Sequence, residues 1–189
     1  DSLVEAAQKK LHLKAVCCEA LAQAPMSAKV DNKKPKWLLK LTEEAPVMLF
    51  DGRKTYFGLI DIGEFKGSSY VLRLQSNPSY TGSDRLLFPI KAEVLDQEFR
   101  RIKAYSGGDW LNRRGSATEG VIPFSAESKA RYLLVYADEL GKVAKEDVSS
   151  VSVTPVFVGV GVMMMPTGAD QSISTYASPT GTVAISYEQ

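Results

Sequence analysis

The sequence predicts an all-β protein: an antiparallel β-sandwich of jelly-roll or immunoglobulin-like kind, with a short helical segment at its N-terminus. Three observations carry that reading. About eight to ten short apolar runs alternate with a period of two, the mark of half-buried strands. Gly-, Pro-, Asn- and Asp-rich stretches separate them at short intervals. No strand–helix–strand rhythm occurs, which argues against a parallel sheet.

The stretch Leu86–Tyr105 (LLFPIKAEVLDQEFRRIKAY) is the clearest pair. It reads as strands Leu86–Leu95 and Phe99–Tyr105, joined by the polar turn Asp96-Gln97-Glu98. Ile90, Ala92 and Val94 share one face of the first strand. Arg131–Ala137 fits beside them as a third strand. Upstream, Ser2–Ala24 is rich in Ala, Leu, Lys and Glu, and Ser2 with Glu5 forms a capping-box pattern. A helix of about two to three turns is expected there, ended at the latest by Pro25. The division that follows is a helical segment over residues 1–25 and a β domain over 26–189.

Between these, Trp37–Leu41, Val47–Phe50, Tyr56–Ile62 and Tyr70–Gln75 read as strands, with Asp51-Gly52 a hairpin turn. Asn77–Asp84 reads as a loop and Trp110–Thr118 as an exposed excursion. Val121–Phe124 carries Pro123 and is expected at an edge or a bulge. Asp138–Val148 is polar, with room for a helical turn or two. Ser150–Met165 is one long strand, bent by Pro155 and its glycines. Pro166–Asp170 is a turn, and Thr182–Tyr187 a closing strand. The phase of these runs places Leu72, Leu74, Ile90, Val94, Leu133, Val135, Val183 and Ile185 in the core.

Composition narrows the function classes. The chain has 189 residues, enough for a core without disulfide staples. Its 23 basic and 22 acidic residues leave no nucleic-acid footprint and no polybasic membrane surface. No apolar run reaches the ~18 residues of a transmembrane helix. The sequence opens at Asp1 without a basic region and apolar run, so a cytosolic chain and a mature secreted one both remain open. The two cysteines, Cys17 and Cys18, are adjacent. Neighbouring cysteines rarely bridge, because the small ring strains the peptide bond between them. They are expected as packed thiols, the alternatives being a vicinal disulfide or a partner-linked or lipidated cysteine.

Catalytic motifs fare poorly. His12 is the one histidine; it lies in the expected helix, so Ser-His or Cys-His nucleophilic catalysis lacks a partner. One histidine and two adjacent thiols do not make a zinc site, and no metal or cofactor is expected. Gly159 and Gly161 lack the third glycine and following helix of a phosphate-binding loop. Glu43-Glu44 and Asp96/Glu98 sit in turn-like settings of solvated acids, not of a glycosidase pair. Met163-Met164-Met165 reads first as core filler. Aromatics at turns are more suggestive. Tyr80, Tyr105 and Trp110, with Asp84, Asp109 and Arg113 near them in sequence, form a candidate ligand-binding group, since sugars stack on flat rings edged by polar groups.

Several segments, taken in order, resemble the maltose-operon periplasmic protein family. They are APVMLFDGRKTYFGLIDIG (Ala45–Gly63), Phe88-Pro89 leading to Val94-Leu95-Asp96, TEGVIPFSAESKARYLLVYADEL (Thr118–Leu140) and TYASPTGTVAISYE (Thr175–Glu188). The resemblance spans roughly residues 15–189. A long Ala/Pro linker and a C-terminal helical extension, both present in the family's namesake, are missing. The resemblance implies a periplasmic or envelope location, a non-enzymatic role and an association with maltose- or maltodextrin-type carbohydrate transport. It supplies no site residues. The expectation is therefore a non-catalytic accessory or binding protein whose partner is a carbohydrate or an envelope protein. The alternative is a structural or protein-interaction module of the envelope, tethered through an N-terminal lipid.

Overall fold

The computed structural model describes residues 3–31, 33–34, 36–65, 67–81, 84–109, 111–112, 118–139, 142–158 and 161–188. One helix, α1 (Leu3–Leu13), precedes the strands β1 (Ala28–Lys29), β2 (Lys36–Leu41), β3 (Val47–Phe50), β4 (Arg53–Asp61) and β5 (Tyr70–Ser76). Then come β6 (Ser79–Thr81), β7 (Asp84–Leu87), β8 (Ile90–Leu95), β9 (Arg101–Tyr105) and β10 (Leu111–Asn112). The chain closes with β11 (Thr118–Phe124), β12 (Tyr132–Ala137), β13 (Lys142–Val158), β14 (Gly161–Ala177) and β15 (Gly181–Glu188).

These strands form three sheets. A six-stranded sheet runs β1-β4-β12-β8-β9, with β3 also paired to β4; a five-stranded sheet runs β10-β11-β5-β15-β2; a four-stranded sheet runs β13-β14-β7-β6. The described pairings are antiparallel except β1 with β4 and β14 with β7. The main apolar cluster draws on both larger sheets: Ile90, Val94, Leu133 and Val135 from the first, Leu72, Leu74, Val183 and Ile185 from the second. All eight are at most 4% exposed, as their phase predicts. The approach of β2 to β4 is close enough that a Cβ on Gly58 would lie 2.6 Å from Leu39 Cδ1, so any larger residue there requires the Leu39 side chain to shift.

The six-stranded sheet is covered on its other face as well. A second cluster of Met48, Phe57, Leu59, Leu95, Leu134 and Tyr136 is capped by Cys18, Leu21, Ala24, Phe50, Phe99 and Tyr132. That is why β4 and β12 are buried almost continuously. It also buries Glu93, which accepts the Tyr136 hydroxyl at 2.7 Å and lies 3.4 Å from Arg101.

Several sequence expectations need correction. The run Leu86–Leu95 is two strands, β7 and β8, in different sheets. Pro89 has no N–H to give a ladder, and Phe88, 2% exposed, turns into the core against Gly181. Part of the expected loop Asn77–Asp84 is strand β6, paired to β7. Residues 142–148 are extended, and 166–170 continue β14 with no turn, because β13 and β14 pair with each other rung by rung from Ala144/Thr175 to Val158/Gly161, after a register shift that follows Lys142/Tyr176. The single long strand expected over Ser150–Met165 is thus a hairpin. Cys17 and Cys18 are bonded to each other, S–S 2.08 Å, and are not packed thiols. The packing reading required burial, whereas Cys17 is exposed and Cys18 half-buried, in an irregular segment whose Cys17 N–H meets the Val47 carbonyl at 2.8 Å. Ser2 of the expected capping box lies outside the described residues.

Other expectations hold. Asp51 and Gly52, at φ of 51° and 78°, make the two-residue turn between β3 and β4. Pro123 lies beyond the short β10–β11 pairing, on the open edge of β11.

Candidate binding clefts

The sequence-predicted aromatic group falls in two places. Tyr80, 61% exposed, lies in β6 opposite Arg85, and Asp84 opens β7 opposite Thr81. Tyr105 ends β9 in another sheet; it is 8% exposed, with Lys103 Nζ 4.7 Å from its ring centre. Asp109 follows in a short 3₁₀ turn, where its Oδ2 accepts the Ser106 N–H at 2.8 Å. Trp110 and Arg113 lie outside the described residues.

Of the acids weighed as catalytic candidates, Glu43, Asp96 and Glu98 are paired with cations, and Glu44 is exposed. Glu43 pairs with Lys10 at 2.8 Å, on the surface. Asp96 and Glu98 both pair with Arg100, at 2.9 and 3.0 Å. Asp96 also accepts the Glu98 and Arg100 backbone N–H groups, each at 2.9 Å. Partial burial pushes the Asp96 carboxyl up, but the bonds from Arg100 and Glu98 to its charged form outweigh that and hold it below the ordinary carboxylate value. Burial, then the Glu93 carboxylate, pushes the Tyr136 phenol far up, so it stays a donor. Burial alone does the same for Tyr70. His12 is exposed, and its carbonyl accepts Lys54 Nζ at 2.8 Å. Among the described residues no three of His, Cys, Asp or Glu are grouped to hold a metal ion.

Two clefts merit comparison. The larger, about 540 Å³, lies between the 96–100 turn and residues 126–131 and is walled by Asp96, Glu98, Arg100, Glu127, Lys129 and Arg131. Its charges are largely committed to each other or to the frame: Arg100 to Asp96 and Glu98, and Arg131 to Asp61 at 2.9 Å. It braces the β8–β9 turn.

The smaller cleft, about 260 Å³, lies where β1 meets β2 and is lined by Ser27, Ala28, Val30, Trp37, Leu38, Leu39, Lys40, Ile60 and Ile185. Alternation in β2 turns Trp37, Leu39 and Leu41 inward and Lys36, Leu38 and Lys40 outward. Trp37 stacks on Tyr187, ring centres 5.9 Å apart at 28°. Tyr187 continues through Phe65 and Tyr70 to Phe124, an aromatic row that fixes the indole from behind. The Trp37 indole nitrogen is buried and has no acceptor among the described residues. An unmatched buried donor costs about 1–3 kcal/mol, so such groups are rare unless something supplies the acceptor. Sequence reasoning placed Trp37 in a strand and passed over it as a site. The one signal for it was a tryptophan at the start of an edge-like run; its pairing with Tyr187, 150 residues away, is not local information. This cleft can offer a flat apolar face to a ligand, with Ser27 and Lys40 as the polar side chains of its wall.

Comparison with protein families, with curated proteins and with solved structures gives no match to this chain.

Proposed function

We propose that this chain is a non-catalytic binding protein of the periplasm, accessory to the uptake of maltodextrin-type carbohydrate, on an antiparallel sandwich of jelly-roll or immunoglobulin-like kind. The observation that carries it is the Trp37 cleft: a half-buried indole, rigidly backed by Tyr187, among apolar walls edged by Ser27 and Lys40. Sugar rings need that combination, a flat face and a donor at its edge. The substrate class rests on the resemblance of its ordered motifs to the maltose-operon periplasmic family. Affinity is expected at about micromolar to millimolar, because a cleft of this size buries little ligand surface.

The test is calorimetric titration with maltodextrins, followed by intrinsic tryptophan fluorescence. Trp37→Phe keeps a smaller stacking face and should weaken binding; Trp37→Ala should abolish it. No heat with the intact protein at millimolar sugar rejects the carbohydrate reading. Binding that survives Trp37→Ala but fails with Trp110→Ala moves the site to the Tyr80–Trp110 group.

A second reading has its own observation. β2 is the outer strand of its sheet, and Leu38 on it is 66% exposed. An open edge beside an apolar cleft also suits strand addition by a protein partner, as an envelope interaction module would use. Pull-down of an envelope protein lost with Leu38→Lys, alongside silent sugar titrations, would favour it.

A further inference from the structure

The β13–β14 hairpin is unlike the rest of the chain. At its base it is tied in: β14 pairs with β7 from Ser174/Asp84 to Ala177/Leu87, and Arg85 Nε donates to Thr175 Oγ1 at 2.8 Å. Beyond Ser174 the described pairing of β14 is with β13 alone. From 161 to 173, at ~3.4 Å per residue, that is a two-stranded ribbon roughly 44 Å long. Ribbons of that kind are marginal in water without a third layer.

Its sequence is as unusual as its pairing. Residues 148–169 contain no Asp, Glu, Lys or Arg, in a chain that is 24% charged. The register sorts this stretch into faces. Near the base, Ser150, Ser152, Thr154 and Thr167 occupy one face, and Val151, Val153 and Pro166 the other. The last four rungs differ: Pro155/Met164 and Phe157/Val162 on one face, Val156/Met163 and Val158/Gly161 on the other. These four rungs, 155–158 with 161–164, are therefore apolar on both faces, and the sequence from 155 to 165 has no polar residue.

An end apolar on both faces points to an occupant that surrounds it. A protein partner docked on a ribbon covers one face, or adds a strand to an edge; here Pro155 and Pro166 leave each of the two strands one backbone donor short. A lipid bilayer surrounds. We propose that the end of the β13–β14 hairpin inserts into the interfacial layer of a lipid membrane and docks the domain there. Four apolar rungs at ~3.4 Å each reach about 14 Å, enough to cross the ~5–10 Å depth of interfacial insertion and stop where Thr154 begins the hydroxyl face. Deeper entry is opposed by the unpaired edges of a two-stranded ribbon in hydrocarbon. The acids flanking the uncharged stretch, Asp147 and Asp170, together with its lack of lysine and arginine, make the binding apolar in origin. Zwitterionic lipid should suffice, and anionic lipid should add nothing. The proposal stands apart from the carbohydrate reading, and sugar titration of the same variants separates the two.

The experiment is flotation of the full chain with phosphatidylcholine vesicles. The intact protein should float with them, unaffected by high salt or by admixed phosphatidylglycerol. Phe157→Asp should reduce the floated fraction at least about tenfold, since an inserted carboxylate loses its hydration along with the apolar contact. Ser150→Asp, further from the end, should leave it unchanged. Phe157→Trp guards against a merely misfolded variant: its emission should shift to the blue on adding vesicles and be quenched by brominated lipid. Four outcomes overturn the proposal: no flotation of the intact chain, flotation only with anionic lipid, flotation undiminished by Phe157→Asp, or a Phe157→Trp emission indifferent to vesicles. If the intact chain instead sediments as a dimer that Phe157→Asp dissociates, the apolar end belongs to a second copy of this chain.

Discussion

Val135 shows how a single side chain commits this fold. It is fully buried in β12, between Gly58 of β4 and Ala92 of β8, and belongs to the cluster shared by the two larger sheets. Burying a valine contributes about 1.5–3 kcal/mol, and a buried carboxylate there has no cation to meet it. Val135→Asp should leave the chain unfolded or insoluble; a soluble variant with a cooperative urea transition would contradict the assigned phase. Asp96 makes a subtler case. Its carboxyl is held below the ordinary value in the folded chain, so its contribution is complete above the ordinary carboxylate range and is lost as pH falls through the lowered folded value. Asp96→Asn should lower the urea midpoint at neutral pH and remove part of the acid-side decline. A variant as stable as the parent at pH 7, with the same decline toward about pH 3, would show that the bonds to Arg100 and Glu98 contribute nothing.

At the level of elements, the four-stranded sheet depends on a few contacts at its base. Arg85 is 7% exposed and its bond to Thr175 joins β7 to β14 at their own register position. Arg85→Met keeps most of the stem and removes the donor. It should cost about 1–3 kcal/mol, the penalty for a buried partner left unmatched, and speed amide exchange at 174–177 while β4, β8 and β12 stay protected. Uniform loss of protection would mean the sheets unfold as one. What the sequence could and could not tell divides along the same line. Strands buried on one face, such as β5 with its strict alternation, were legible because period two is a local signal. The central strands β4 and β12 were legible as strands, but their second covered face was not, since it comes from residues 18–24 far back in the chain. The Phe88-Pro89 break and the β13–β14 register were misread because strand, bend and hairpin share one β-branched composition; pairing over a distance decides among them. The Trp37 cleft was missed for the same reason, since the strand β1 that walls it is two residues long.

The whole molecule turns on how its N-terminal residues attach. Read as sequence, residues 1–25 are a helical appendage to a β domain. In the structure α1 buries Val4 and Leu11, and Leu11 joins the main cluster between the sheets. Cys18, Leu21 and Ala24 then cover the outer face of the six-stranded sheet, over Phe57, Leu59 and Leu134. Lys54 Nζ fastens the link between them by reaching the His12 and Lys14 carbonyls, both at 2.8 Å. The surface pair Lys10–Glu43 adds little, being largely exposed. A chain beginning at residue 26 therefore loses two buried side chains at about 1.5–3 kcal/mol each and uncovers an apolar sheet face besides. It should unfold at markedly lower urea than the full chain and bind a dye specific for exposed apolar surface while still folded. Equal urea midpoints and no dye binding would establish the first 25 residues as a separable appendage; the burial of Leu11 and the covering of Phe57 and Leu59 argue for the opposite result, in which the helix and the segment after it are part of one cooperative core.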